Sequence, residues 1–266
     1  MANALGQLVN APLIYVLTQI VFTRVPKMES KWEDFHQAIF DRYPIAIPEH
    51  IREIQIGGSK ESLFSEELRW HMLDRERKEG IILNADSVVF HATSYTTSED
   101  YFTRLEFVLS KLRDIFPNNI EVSRLGLRYI DLLLPGDGLP VDDQVAGKLG
   151  SIPLDDAGCE FVKLEEVTRY KTAENGNLVV RHRQSINPDI LPGDLFPNNL
   201  TPAPLLSVQK PEDVVVGLMD FDHYVQLEFE FEMNNIIEKL KAMHVISSQA
   251  FQLATTSEAQ QLWKGE

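Results

Sequence analysis

The sequence holds one cysteine, Cys159, so no intrachain disulfide can form. A chain without structural disulfides fits a reducing compartment, and a cytoplasmic location is expected. Long hydrophobic runs are missing too. The most apolar stretch, Ala11 to Phe22, is broken by Thr18 and Gln19 and is too short to cross a bilayer as a helix. No cationic side chain precedes Arg24, so the charged start of a secretory signal is not seen. Positive charge is scarce: 25 Lys and Arg stand against 40 Asp and Glu, a formal net charge of −15. Such a field repels phosphate, which disfavours nonspecific binding of nucleic acid or anionic membrane. The motifs of common catalysts are lacking as well. There is no Gly-x-Ser-x-Gly elbow, no His-Glu-x-x-His, no cysteine pair for zinc, no P-loop and no Gly-x-Gly-x-x-Gly. Nothing calls for a cofactor. Cys159 follows Gly158 in an acidic stretch, which suppresses the thiolate.

What remains is an ordinary globular composition, 44% hydrophobic and 24% charged, with clear periodicities. Pro12 to Val25 reads as a strand, ended by Pro26. Ser30 and Glu33 form a capping-box pattern for a helix from Lys31 to about Tyr43, stopped by Pro44 and Pro48. Strands are expected at Arg52–Gly57, Leu68–Glu76 and Gly80–Thr93, with a turn over Asp74–Lys78. A helix from Ser98 to Phe116 has the clearest apolar stripe, through Phe102, Leu105, Leu109 and Leu112. The pattern then restarts with a strand at Ser123–Leu134 and a short helix at Val141–Leu149. A hairpin follows, Glu160–Thr172 with Asn177–Ile186, around Asn175-Gly176. A long strand at Asp213–Phe231, a helix at Met233–Leu253 and a last helix capped by Thr255 and Glu258 complete the chain.

Both halves thus read as strand, helix, three strands, helix. The fold expected is α+β, a tandem duplication of that unit, with antiparallel sheets covered by helices on one face. The first unit would span residues 1–120 and the second 121–266, with a Pro-rich loop at 187–211. Several strands are apolar on both faces. In the first, Leu13, Tyr15, Leu17 and Val21 oppose Ile14, Val16, Ile20 and Phe22, so something besides one helix layer must cover the second face.

Three blocks point to a family. Asn10-Ala11-Pro12-Leu13 with Gln19-Ile20-Val21-Phe22, then Arg124-Leu125-Gly126-Leu127-Arg128-Tyr129-Ile130-Asp131, then Leu218-Met219-Asp220-Phe221-Asp222 before a long helix, span almost the whole chain. In their order they resemble a sporadically distributed bacterial family of uncharacterised proteins. Gln19 departs from the acidic residue often found there. The resemblance implies a cytoplasmic protein, brings no established activity, and implies a context of mobile or antiphage defence loci.

Candidate residues follow from strand alternation. Arg128 sits inside a strand apolar on both faces and needs a carboxylate, with Asp220 and Asp222 the nearest by element order. It reads either as an anion-binding arginine or as half of a buried structural ion pair. Asp220 and Asp222 share a strand face, and with Asp131 could hold a divalent cation. The structural alternative is that Asp222 and His223 bond local backbone groups. Arg181 and Arg183, with Arg169 across the hairpin, form the one concentrated basic patch, while His182 points the other way. The patch could hold a phosphate or an acidic segment, or it could be a solvated face. His91 reads as a packed histidine. Gly57-Gly58-Ser59 resembles a nucleotidyltransferase turn, but the Asp-x-Asp pair that should follow it is absent.

The function expected is a non-enzymatic protein- or ligand-binding module. Arg128, Asp131, Arg169, Arg181, His182 and Arg183 are its candidate binding residues. A protein partner or self-association as a homodimer is expected. The alternative is a metal-dependent enzyme on a phosphate ester or nucleotide, with Asp131, Asp220 and Asp222 as ligands and Arg128 holding the anion. It requires those four side chains to converge.

Overall fold

A computed structural model describes residues 10–55, 63–116, 119–136, 138–147, 161–186, 191, 199–208 and 214–265. The strands are β1 (Leu13–Phe22), β2 (Ile45–Gln55), β3 (Leu63–Leu73), β4 (Glu79–Leu83) and β5 (Ser87–Ala92). They continue with β6 (Glu121–Leu133), β7 (Lys163–Lys171), β8 (Asn177–Ser185) and β9 (Val216–Glu230). All pair antiparallel in one nine-stranded sheet of order β2-β3-β4-β5-β1-β6-β9-β8-β7. The helices are α1 (Trp32–Ile39), α2 (Ser98–Ile115), α3 (Met233–Ala254) and α4 (Ser257–Lys264).

This corrects the expected tandem duplication with separate sheets. β1 and β6 pair from Leu13↔Asp131 to Phe22↔Val122, so the two halves share one sheet through its centre. The halves also differ in content. The helix expected at Val141–Leu149 is only a 3-10 turn, Val141–Asp143. The Gly80–Thr93 strand is instead the hairpin β4–β5. Pro48 does not stop an element but lies inside β2, tolerated because β2 is an edge strand. At α1 the capping box does not form. Ser30 donates its hydroxyl to the Lys27 carbonyl, and the helix starts at Trp32 with no side-chain cap. At α4 the cap is Thr256, whose hydroxyl accepts from the Ala259 amide, while Thr255 bonds back to Phe251.

The layers follow from apolar patterning. One sheet face carries all four described helices. α1, α2 and the first part of α3 bury Phe35, Leu105, Leu109, Ile236 and Leu240 against Val16, Ile20, Leu125 and Leu127. The end of α3 and α4 cover the rest, with Trp263 and Ala259 on Phe221, Met219 and Leu178. α2 is held at its start by Thr97, whose hydroxyl accepts from the Asp100 amide.

The other face carries no helix longer than a 3-10 turn among the described residues. A register shift in β1 between Leu13 and Tyr15 puts Ile14 on this face beside Tyr15, although strict alternation assigns them to opposite sides. Part of the Pro-rich stretch lies over this end of the sheet. Leu191, Leu200, Ala203, Leu205 and Leu206 pack on Tyr15, Leu17, Ile130, Leu132 and Leu218. The second apolar face is therefore covered in part by the chain's own segment. It is fastened by Thr201, whose amide donates 2.6 Å to the Arg77 carbonyl, and by Thr93, whose hydroxyl donates 2.7 Å to the Thr201 carbonyl.

Candidate functional site

The register places a row of polar side chains across the helix-free face. Cross-strand partners share a face. The pairs Arg128↔Asp222, Ile130↔Asp220 and Arg181↔Asp220 therefore bring Arg128, Asp220, Asp222 and Arg181 to the same side. Arg128 donates to Asp220 as a fork, Nε to Oδ1 and Nη2 to Oδ2, both at 2.7 Å. Arg181 Nη1 lies 3.1 Å from Asp220 Oδ2 and 3.5 Å from Asp222 Oδ2. Asp220 is fully buried and Arg128 is 8% exposed, while Arg181 is only half-buried. A fully buried carboxylate shared by two guanidiniums compensates charge where water cannot.

The row continues across the first half of the chain. The Tyr15 hydroxyl is 2.8 Å from His91 Nδ1, and the Arg128 charge reaches this tyrosine. Burial holds the His91 imidazole neutral, with its pKa lowered to about 3. His91 Nε2 lies against Gly80 and has no hydrogen-bond partner among the described residues. His71, fully buried, meets Glu49 Oε2 at 2.7 Å through Nε2; Arg69 Nε donates to the same oxygen at 2.6 Å. Burial lowers the His71 pKa, and the Arg69 bond holds the Glu49 carboxyl below its ordinary range. Outside the row, Arg124 on β6 donates to Gln19 Oε1 and sits 5.0 Å from the Tyr224 ring centre.

Asp131 lies elsewhere. It pairs with Met219 in the β6–β9 ladder, and so faces the helices, away from Asp220 and Asp222. Burial, and then the Asp220 charge, push its carboxyl up to about 8. The three carboxylates proposed for a metal do not converge. Among the described residues no group of three or more His, Cys, Asp or Glu could hold a metal ion.

The hairpin residues divide by parity as expected. Arg183 and Arg169 take the helix-free face with Arg181, since Arg183 pairs with Leu218 and Arg169 with Val179. Arg183 Nε lies 3.2 Å from Glu165 Oε1. His182 faces the helix side with Met219; its Nδ1 is 3.4 Å from Glu166 Oε2, and burial lowers its pKa. His223 is also on that side. Its Nδ1 meets the Met243 carbonyl at 3.2 Å and its Nε2 meets Thr172 Oγ1 at 3.1 Å. Asp222 forms an ion pair with Arg181 across the β8–β9 ladder. Gly57-Gly58-Ser59 and Cys159 lie outside the described residues.

Sequence reasoning missed Tyr15, Glu49, Arg69, His71 and Arg124. Tyr15 and Arg124 did stand in strands whose alternation was legible. Only the strand order, which places β1 beside β5 and β6 and β6 beside β9, joins Tyr15 to His91 and Arg128, and Arg124 to Gln19 and Tyr224.

No family model matches the chain. No curated protein matches it significantly either. The resemblance of its three sequence blocks to the sporadically distributed bacterial family rests on those residues alone.

Proposed function

We propose that the chain is a non-enzymatic binding module, and that the helix-free sheet face is its binding surface. The observation that carries this reading is the charge on that face. On that face β7 and β8 present Lys163, Arg169, Lys171, Arg181 and Arg183 against Glu165, with Asp220 and Asp222 beside them on β9 and Arg124 and Arg128 beyond on β6, while Glu121, Glu228 and Glu230 gather at the far end of β6 and β9, in a chain whose net charge is −15. Local positive potential in an acidic protein selects an anionic partner and keeps other anions away from the remaining surface. The buried Arg128–Asp220 pair holds the floor of that surface rigid. Half-exposed Arg124, Arg181 and Arg183 are the groups able to exchange their present contacts for a ligand's carboxylates or phosphates. Context in a mobile or defence locus, implied by the family resemblance, fits a module whose partner is another protein.

Fluorescence titration with a glutamate-rich and a lysine-rich peptide tests this. The glutamate-rich peptide should bind with an affinity that falls as salt rises. The double variant Arg124→Glu with Arg183→Glu should lose about tenfold or more, which is about 1.4 kcal/mol. Equal binding of the two peptides, or an unchanged affinity in the variant, would overturn the reading.

A further inference from the structure

The outer edge of β7 ends the sheet, and among the described strands none pairs with it. The strand is nine residues long and exposes Val167 at 52% and Tyr170 at 53%. An open edge of that length offers a row of backbone donors and acceptors to another strand.

The sequence of this edge is complementary to itself. Laid antiparallel on a second copy about Val167, Glu165 faces Arg169, Leu164 faces Tyr170, Glu166 faces Thr168, and Val167 faces Val167. A two-fold axis makes each unequal pair occur twice. Opposite charges and apolar–aromatic pairs directly across strands are the stabilising combinations in antiparallel sheets. Only Lys163 and Lys171 oppose like charge. They lie at the ends, and Lys163 Nζ is already 2.9 Å from Glu165 Oε1. Other registers are poorer. Centring on Glu166 sets that carboxylate against itself and Lys163 against Arg169. Centring on Thr168 sets Val167 against Arg169 and loses the apolar matches.

We propose that the protein forms a symmetric homodimer by antiparallel pairing of β7 with β7 of a second copy, in the register centred on Val167. The two sheets join edge to edge, with the helices of both copies on the same side. One strand pair buries little area, so the association is weak and concentration-dependent. It concerns the strand edge and not the anionic partner, so failure of one leaves the other standing.

Sedimentation velocity up to about 100 μM, with native mass spectrometry, tests the register by charge exchange. Wild type should dimerise. Arg169→Glu alone and Glu165→Arg alone should each weaken the dimer about tenfold or more, because each sets like charges against each other twice. Mixed in equal amounts, the two variants should restore a dimer that contains one of each. Both positions are on an exposed strand, and a single cooperative melting transition in each would show that the variants fold, Glu165→Arg losing only its exposed ion pairs to Lys163 and Arg183. A wild type that stays monomeric throughout that range would overturn the proposal. So would a dimer indifferent to either variant, or variants that fail to rescue each other in the mixture.

Discussion

Asp220 is the residue on which two arginines depend. Replacing it with alanine removes the carboxylate that buried Arg128 grips with both arms of its fork, and the expected loss of stability is about 3–5 kcal/mol in urea unfolding. The double variant Arg128→Met with Asp220→Leu should recover most of that loss, because an apolar pair carries no desolvation cost. A single variant as stable as wild type would show that water reaches the pair. Asp131 makes the opposite case. Its carboxyl moves from an ordinary value of 3.8 to about 8 in the fold. Between those values the folded protein holds a proton that the unfolded chain has lost. The contribution is therefore full below about pH 4 and is lost as pH rises to about 8, at no more than about 1.4 kcal/mol per unit. Asp131→Asn should flatten this slope and should be more stable than wild type at about pH 8. Urea midpoints at acidic, neutral and mildly alkaline pH check it, and parallel wild-type and variant curves would refute it.

Elements with a long, uninterrupted stripe were legible in the sequence: α2, α3, β6 and the β7–β8 hairpin agree within a few residues with their patterns. Short elements were not, because a single tertiary contact redirects them. Ser30 bonds Lys27 instead of capping α1, and Val141 packs against Gly217 and Leu133 in a 3-10 turn where a helix was expected. The site was half legible. Arg128 in a strand apolar on both faces demanded a carboxylate, and strand alternation puts Asp131, three residues on, on the other face from it. Which side Asp220 takes depends on register, Ile130↔Asp220, and register is fixed by packing across the sheet and not by any local residue. Close approach between elements supplies a test at this scale. A Cβ on Gly80 would fall 2.6 Å from Leu73 Cδ2 and 3.1 Å from His91 Nε2. Gly80→Ala should cost about 1–3 kcal/mol and disturb the Tyr15–His91 contact, read as a lower melting temperature and shifted His91 NMR resonances. An unaffected melting temperature would mean that β3 and β4 part easily.

At the scale of the whole molecule, one sheet has two unequal faces. Helices seal the first. No described helix is long and apolar enough to cross a membrane. The second face carries a buried polar row, a strap from the Pro-rich stretch over one end, and arginines toward β8 and β7. The central claim is that this second face captures an anionic partner. Native mass spectrometry of protein purified gently from its own host, beside the Arg124→Glu, Arg183→Glu variant, tests it most directly. The account predicts a noncovalent mass on wild type that is lost from the folded variant. The same mass retained by both proteins would contradict it and place the binding site elsewhere.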